Sequence, residues 1–534
     1  MTSAASNPPS DTSLARKGSR LRRWCMRVLF VLVTLVTLCV LYLQISKVRG
    51  RNAWHRMEAQ LKEKGMPIYL ADVLPPEIPD EENQVATPFW KGVFPKATMR
   101  EVVHQYHMDD PRVTKAYQLV TRYQFDVVQG GTARAKWTEP PLLIRAWAKA
   151  LQQVVENPSN QEDLSREQVE ALPPAEAGRV VLDLLQVYDP VIDEFRAASD
   201  RPKARYPIDY SVPDPATIRL PHFVQIKEIL RILRLRAMAH AVTGDVSRAD
   251  EDVKLMFLLS ESLKGEPTLI SYLVRIAAHR ITLETFRQVL NRGLAWPEPA
   301  LARWQDRYRN LDLIAALSEA LRAERTFGNS MFARMRDKSN RGHYAESLGA
   351  EPELELVVVA LPTGWIYFEQ VNYNWLFDRL LLFNQSPSGI RVDPAWVLKN
   401  EKDIQAETRD LGYAVFWRHR LFSSLLLPAL VHTPEKAAQA QALVDMATLG
   451  SALERHRIET GTYPEALAAL LPRYLDRLPD DVTAAQSYRF RRDADGAYTL
   501  WSIGYNQVDD QGTIAKESDE GDWAWAREDE TKER

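Results

Sequence analysis

Apolar and polar positions follow three rhythms along this chain: one continuous run, long stretches with a period near 3.6, and a short alternating ending. Residues 28–45 (VLFVLVTLVTLCVLYLQI) carry no charge, and a run of about 18 such residues is just long enough to cross a bilayer's hydrocarbon core as a helix. In residues 52–70, Trp54, Met57 and Leu61 recur at helical spacing and Gly65 sits where a C-cap belongs, predicting a helix that leaves the membrane. Residues 71–95 hold five prolines, which remove backbone donors and predict an extended linker. Its acidic run, Asp80, Glu81 and Glu82, reads as a solvated loop face.

Residues 141–200 and 218–330 are rich in helix formers with apolar spacing near 3.6. The clearest unit is a hairpin: one helix to about Val242, a turn at Gly244 and Asp245, and a second helix from about Ser247 to Leu263. No repeat at a fixed period of about 34 residues is present, so the expectation is an irregular helical, solenoid-like ectodomain and not a regular array. Residues 354–384 are the most aromatic stretch, but Asp378, Arg379 and the break at Pro362 and Gly364 leave no charge-free run long enough for a second crossing. Trp365, Tyr367, Tyr373, Trp375 and Phe377 are expected in the core, the bilayer surface or a partner being the other place for them.

Composition narrows the class. With 534 residues, 45% hydrophobic and 26% charged, and a formal net charge of -3, the chain is long enough for about three domains with buried cores. The near-neutral balance argues against a nucleic-acid partner, which needs a basic face to neutralise phosphates. Arg16, Lys17, Arg20, Arg22, Arg23 and Arg27 precede the apolar run, and Lys47, Arg49, Arg51 and Arg56 follow it. The more positive flank tends to stay in the cytoplasm, which places everything after Arg49 outside. A secretory signal peptide has the same polarity, but its apolar centre is shorter and ends at small residues; this run ends in Gln44, Ile45, Ser46 and Lys47, so an uncleaved anchor is the reading. Both cysteines, Cys25 and Cys39, lie beside or within the run, leaving the ectodomain without thiols.

Catalytic patterns are sparse. His104 and His107, followed by Asp109 and Asp110, share a helix face, but a catalytic zinc needs three protein ligands and no third is evident. Glu319 and Glu324 are candidate inward carboxylates, a property known only by geometry. The chain contains no phosphate loop, no dinucleotide fingerprint and no nucleophile elbow.

The last hundred residues carry the most specific pattern. Residues 437–459 form a long amphipathic helix running into ETGTYP; LLPRYLDRLPDD follows, then two strand-like runs, YRFRR and YTLWSI, around the hairpin signal DADG, and finally GDWAW. This order resembles the C-terminal half of the major pseudopilins of type II secretion systems, over about a fifth of the chain. In that family a loop after the last S-x-G element binds calcium, and YNQVDDQGTIAKESDEGDW occupies its place here. The resemblance implies a calcium site with Asp509, Asp510 and Asp522 as its carboxylates, and Asn506 and Asp519 as further oxygen donors. The N-terminal run differs from a pseudopilin leader and is expected to serve as an anchor. The whole chain looks like an uncharacterised group of bacterial membrane-anchored proteins.

The expected fold is therefore mainly α: a basic cytoplasmic tail (1–27), one transmembrane helix (28–45), a juxtamembrane helix and Pro-rich linker (46–95), a helical ectodomain (96–436), a pseudopilin-like α+β domain (437–526) and an acidic tail (527–534). The expected function is an extracytoplasmic scaffold or interaction protein held in the cell inner membrane, its bulk in the periplasm and with a protein partner. An envelope enzyme of the hydrolase kind and an auxiliary of a secretion or pilus apparatus are the alternatives; the enzyme would need a polar pocket with shifted pKa values.

Overall fold

A computed structural model describes residues 12–94, 144–145, 147–149, 173–212, 215–292, 295–347, 352–408, 418–494, 496–514 and 520–526. Helix α1 (Thr12–Glu63) is a single element of 52 residues, about 78 Å long at 1.5 Å per residue. The anchor and the juxtamembrane helix expected from sequence are one rod, because the SKVRGR segment that joins them holds no breaker except Gly50. Among the described residues it is the helix long and apolar enough to cross a membrane. Its apolar side chains from Val28 to Val48 are exposed, apart from half-buried Leu43. Thr34 and Thr37 donate their hydroxyls to the Phe30 and Val33 carbonyls, both at 2.8 Å, so neither leaves an unpaired polar group on that surface. Gly65, at φ +65°, ends the helical path.

The helices that follow are α2 (Pro88–Val93), α3 (Pro174–Leu185), α4 (Asp189–Ala198), α5 (His222–Val242), α6 (Val246–Glu261), α7 (Leu269–Leu290), α8 (Glu298–Arg309), α9 (Leu313–Met335), α10 (Arg341–Ser347), α11 (Pro352–Ala360), α12 (Thr363–Leu380), α13 (Pro394–Thr408), α14 (Leu421–Leu426) and α15 (Thr433–Thr460). Strands β1 (Arg489–Arg492), β2 (Tyr498–Ser502) and β3 (Trp523–Ala526) form an antiparallel sheet in that order. The protein is thus mainly helical, with one long apolar N-terminal helix and a small C-terminal sheet. The chain divides into two compact units, the first of residues 1–65, 331–374 and 412–423 and the second of residues 66–330, 375–411 and 424–534.

In the second unit the hairpin follows its sequence pattern closely. Gly244 turns the chain at φ +86°, and the Asp245 side chain caps α6 by accepting from the Arg248 amide at 3.0 Å. Helix α7 packs on both arms of this hairpin, and α3 packs on α5. The Pro-rich stretch departs from the expected extended linker. Pro88 starts α2, whose Phe89 and Trp90 are buried against Phe195 and Tyr206 with ring centroids 5.4 and 5.0 Å apart. Asn83 pins the backbone alongside, donating to the Arg205 carbonyl and accepting from the Arg205 amide, both at 2.9 Å. Two large aromatics and one bidentate amide fix a stretch that its prolines alone would leave as an extended linker. Its acidic run does face solvent, Asp80 pairing with Lys91 and Glu82 with Lys203.

The C-terminal module belongs to this second unit. Helix α15 is buried along most of its length against α8 and α7. Leu313 donates its amide to Gln441 at 2.8 Å, Arg455 pairs with Glu298 at 2.6 Å, and Gln305 donates to the Tyr474 carbonyl at 2.6 Å. Gly461 ends α15 at φ +83°.

The first unit is built around the part of α1 that follows its apolar stretch. Trp54 and Leu61 are buried in it, and Phe332, Tyr373 and Phe422 form an aromatic cluster with centroids 5.4 and 5.7 Å apart. Arg341, fully enclosed, donates to the carbonyl oxygens of Met335, Leu361 and Val359 and to the Thr363 hydroxyl, tying the last turn of α11 to the start of α12.

Candidate functional site

Three places gather chemistry, and each is built by its own elements. The first is where α1 leaves its apolar stretch. Gly364 approaches so closely that an added Cβ would lie 2.6 Å from the Ser46 carbonyl carbon and 2.7 Å from the Lys47 nitrogen. Reciprocally, a Cβ on Gly50 would lie 2.6 Å from the Gly364 oxygen and 3.0 Å from Tyr367 Cβ. Small residues on both sides allow two helix backbones to touch. One turn on, the Arg336 guanidinium lies over the Tyr367 ring at 4.5 Å and the Trp54 ring at 5.8 Å. Glu369 completes the joint: it accepts from the Leu421 amide at 2.5 Å, the Trp365 indole at 3.2 Å and the Phe422 amide at 3.3 Å. Burial pushes its pKa up to about 7 despite those donors.

The aromatic set named from sequence divides. Tyr373 and Phe377 are buried, Trp365 and Tyr367 are half-buried, and Trp375 is exposed beneath the Arg379 guanidinium at 5.4 Å. Sequence reasoning passed over the neighbouring residues Leu356, Val357 and Val359, which are exposed on α11. Their signal was the charge-free run LVVVA.

The second place is a buried ionic cluster where α5, α6 and α7 meet. Glu261 accepts from His279 at 2.6 Å and from Arg275 at 2.7 and 3.0 Å. Burial opposes its charge, but these donors hold its pKa down to about 2. Burial pushes His279 below its ordinary value, so at neutral pH the ring is uncharged and Arg275 is the cation facing Glu261. Glu266 makes a parallel pair with His222 at 2.9 Å and accepts from Ser271 at 2.6 Å. Tyr206 stacks on the His222 ring at 4.2 Å and shares a 2.8 Å hydrogen bond with Ser262. Glutamate and histidine pairs are the groups that proton-transfer catalysis uses. Here both imidazoles are fully enclosed, and each Nδ1 is buried without a hydrogen-bond partner. Of the two carboxylates flagged from sequence, Glu324 turns inward and accepts from the Leu269 amide at 3.1 Å, burial raising its pKa, whereas Glu319 is exposed beside Arg322. The structure does not bring the two together. His104, His107, Asp109 and Asp110 lie outside the described residues.

The third place is the loop after β2. Asp481 organises its start, accepting from Thr483 and Ser502 through one oxygen and from the Ile503 amide at 3.1 Å through the other. Gln507 and Gln511 take left-handed φ of 60° and 58°, a conformation that costs a non-glycine residue free energy and tends to collect where a site is being shaped. Asp509 accepts from the Trp501 indole at 3.0 Å and from Arg489 at 3.3 Å. Asp510 accepts from Asn506 at 3.3 Å. Asp522 is wholly covered; its Oδ2 accepts from the Gly512 amide at 2.7 Å, while its Oδ1 is buried without a partner. Burial, then the charges of Asp509 and Asp510, push its pKa up to about 6.

An orphaned buried carboxylate oxygen beside two further carboxylates suits a cation, which would supply the missing partner. Asp509 fits less well, being engaged by Trp501 and Arg489. Among the described residues, no three His, Cys, Asp or Glu side chains already converge into a metal-holding group. Asp519 lies outside the described residues. No protein-family model, no curated protein and no solved structure matches the chain.

Proposed function

We propose that the chain is a membrane-anchored extracytoplasmic scaffold, held by α1 in a cell inner membrane with its bulk in the periplasm, that binds a protein partner and carries no reaction of its own. The observation that carries this reading is α1 itself: an apolar surface exposed from Val28 to Val48 continues without a break into a segment buried by the first unit. The packing reaches back to Ser46 and Lys47, which lie against Gly364 where the apolar run ends, so a leader cut off there would break into this joint. The non-catalytic part rests on the ionic cluster, whose histidines are enclosed and whose carboxylates are claimed by their own donors. The α5, α6 and α7 hairpins supply a solenoid-like surface for the partner.

The C-terminal module is the second contact in this reading, pseudopilin-like in its long helix followed by a three-stranded antiparallel sheet. Calcium would be held there by Asp522 and Asp510, with Asp509 released from Arg489; bound, it would fix the loop and neutralise its charge. Removing residues from 437 onward is a poor test, because α15 is a core helix of the second unit. Instead, photo-crosslinking residues placed at Val508, exposed in the loop, and at Ile458, exposed near the end of α15, report in cells on the full chain. A defined partner captured at either position supports the scaffold. Recovery of the chain alone from both, together with turnover of a substrate by the purified protein, would replace it with the envelope enzyme.

A further inference from the structure

Helix α11 presents apolar side chains to the outside while being firmly held. Leu356 is 74% exposed, Val357 38% and Val359 39%. With Ala360 they cover an arc of roughly 160° at 100° per residue, while Val358 points inward and is buried. The helix is not loose: Arg341 grips the carbonyls of Val359 and Leu361, and α10 packs alongside. A rigid element with a contiguous valine and leucine face is a candidate contact surface.

Where α11 sits along α1 identifies that neighbour. Gly364 abuts Ser46 and Lys47, and Gly50 meets the Gly364 oxygen and, further along α12, Tyr367 and Phe368. A step of three or four residues on α12 matches the same step on α1, so the two helices run parallel here, both away from the apolar stretch. Gly364, at the start of α12 and against Ser46 and Lys47, therefore sits beside the end of that stretch at residue 45. Ala360 is only four residues from Gly364, at most about 14 Å of chain. We propose that α11 is a second membrane contact: its Leu356, Val357 and Val359 face enters the lipid bilayer beside the point where α1 emerges. The helix is nine residues long, and its apolar arc would rest at the boundary between headgroups and acyl chains. The second contact would fix the rotation of the first unit about the axis of α1, which a single span leaves free. This rests on α1 being a bilayer span, and the test separates the two.

The full chain with Cys25→Ser and Cys39→Ser, which leaves no thiols, is reconstituted in phosphatidylcholine and phosphatidylglycerol vesicles. Single cysteines at four positions carry an environment-sensitive nitrobenzoxadiazole label: Leu356→Cys, Val359→Cys, Tyr42→Cys within the apolar stretch, and Gln60→Cys, exposed on α1 about 20 Å beyond Lys47. Lipids bearing a nitroxide on the acyl chain are the quencher. Labels at 356 and 359 are expected to shift to the blue and to be quenched at least half as strongly as the label at 42, with the label at 60 unaffected. Quenching at 42 without quenching at 356 and 359 overturns the proposal and leaves the anchor standing. A blue shift at 356 without lipid quenching also overturns it, and assigns the face to a second copy or another protein. Absence of quenching at 42 overturns the anchor, and the proposal falls with it.

Discussion

Substituting Gly50 with alanine sets two effects of opposite sign against each other. Gly50 lies inside α1, where replacing glycine by alanine stabilises a helix by about 0.5–1 kcal/mol. In a span that merely tethers the protein, nothing opposes that gain. In this structure the new Cβ lies 2.6 Å from the Gly364 oxygen and 3.0 Å from Tyr367 Cβ. Ordinary contact begins near 3.4 Å, so α1 and α12 must part by close to 1 Å, and one of the atoms met is backbone that no rotamer change can clear. Overpacking of this kind costs about 1–3 kcal/mol, and a gap of 0.5–1 Å removes a quarter to a half of each neighbouring dispersion contact. Gly50→Ala is therefore expected to destabilise the joint by about 1–2 kcal/mol net, which opens it roughly 5- to 30-fold more often. Hydrogen exchange of the α12 amides in the reconstituted full chain reads this directly, with α6 in the second unit as an internal reference. Exchange in α12 that is unchanged or slower than in the parent chain would refute the close crossing.

Glu369 gives the first unit a pH dependence of definite sign. Its pKa is raised from 4.5 to about 7, so the folded state holds the proton more tightly than the unfolded one. That stabilisation, about 3 kcal/mol by linkage, is fully present below about pH 4.5 and is lost as pH rises through about 7; Glu369→Gln is expected to flatten the slope of unfolding midpoint against pH. Calcium at about 100 times its dissociation constant is expected to add about 2.7 kcal/mol to unfolding of the second unit, seen as a rise in melting temperature that Asp522→Asn abolishes; an equal rise in both proteins removes the loop as the site. Asp245→Ala, which deletes the α6 cap, is expected to cost about 1 kcal/mol in a denaturant titration; no change would mean the turn is held by Gly244 alone.

Local signals were legible wherever one short segment decides its own conformation. The hairpin needed only helical periodicity, a glycine able to adopt positive φ and an aspartate at the cap, and its ends fell within two residues of those expected. The β1 and β2 hairpin around DADG was equally local. The Pro-rich stretch misled because its order comes from partners more than a hundred positions away, Arg205 and Lys203. The α1 and α12 crossing was invisible for the same reason: Gly50 and Gly364 are ordinary glycines until the fold brings them together. Charge positions told least. Glu319 and Glu324 look alike in the sequence, and only the packing turns one inward. In the C-terminal loop the acidic residues were conspicuous, but not the fact that Arg489 and Trp501 hold Asp509 while Asp522 keeps an orphaned oxygen.

The most direct test of the membrane-anchored reading is thiol accessibility in intact cells. One full chain keeps only its native Cys25; another carries Cys25→Ser, Cys39→Ser and Gln60→Cys. Both are treated with a maleimide that cannot cross membranes, before and after permeabilisation. If α1 is a retained span with the folded units outside, the thiol introduced at position 60 reacts at once and Cys25 reacts only after the membrane is opened. Labelling in the reverse order would contradict the orientation, and a mature protein from which Cys25 has been removed would contradict the anchor.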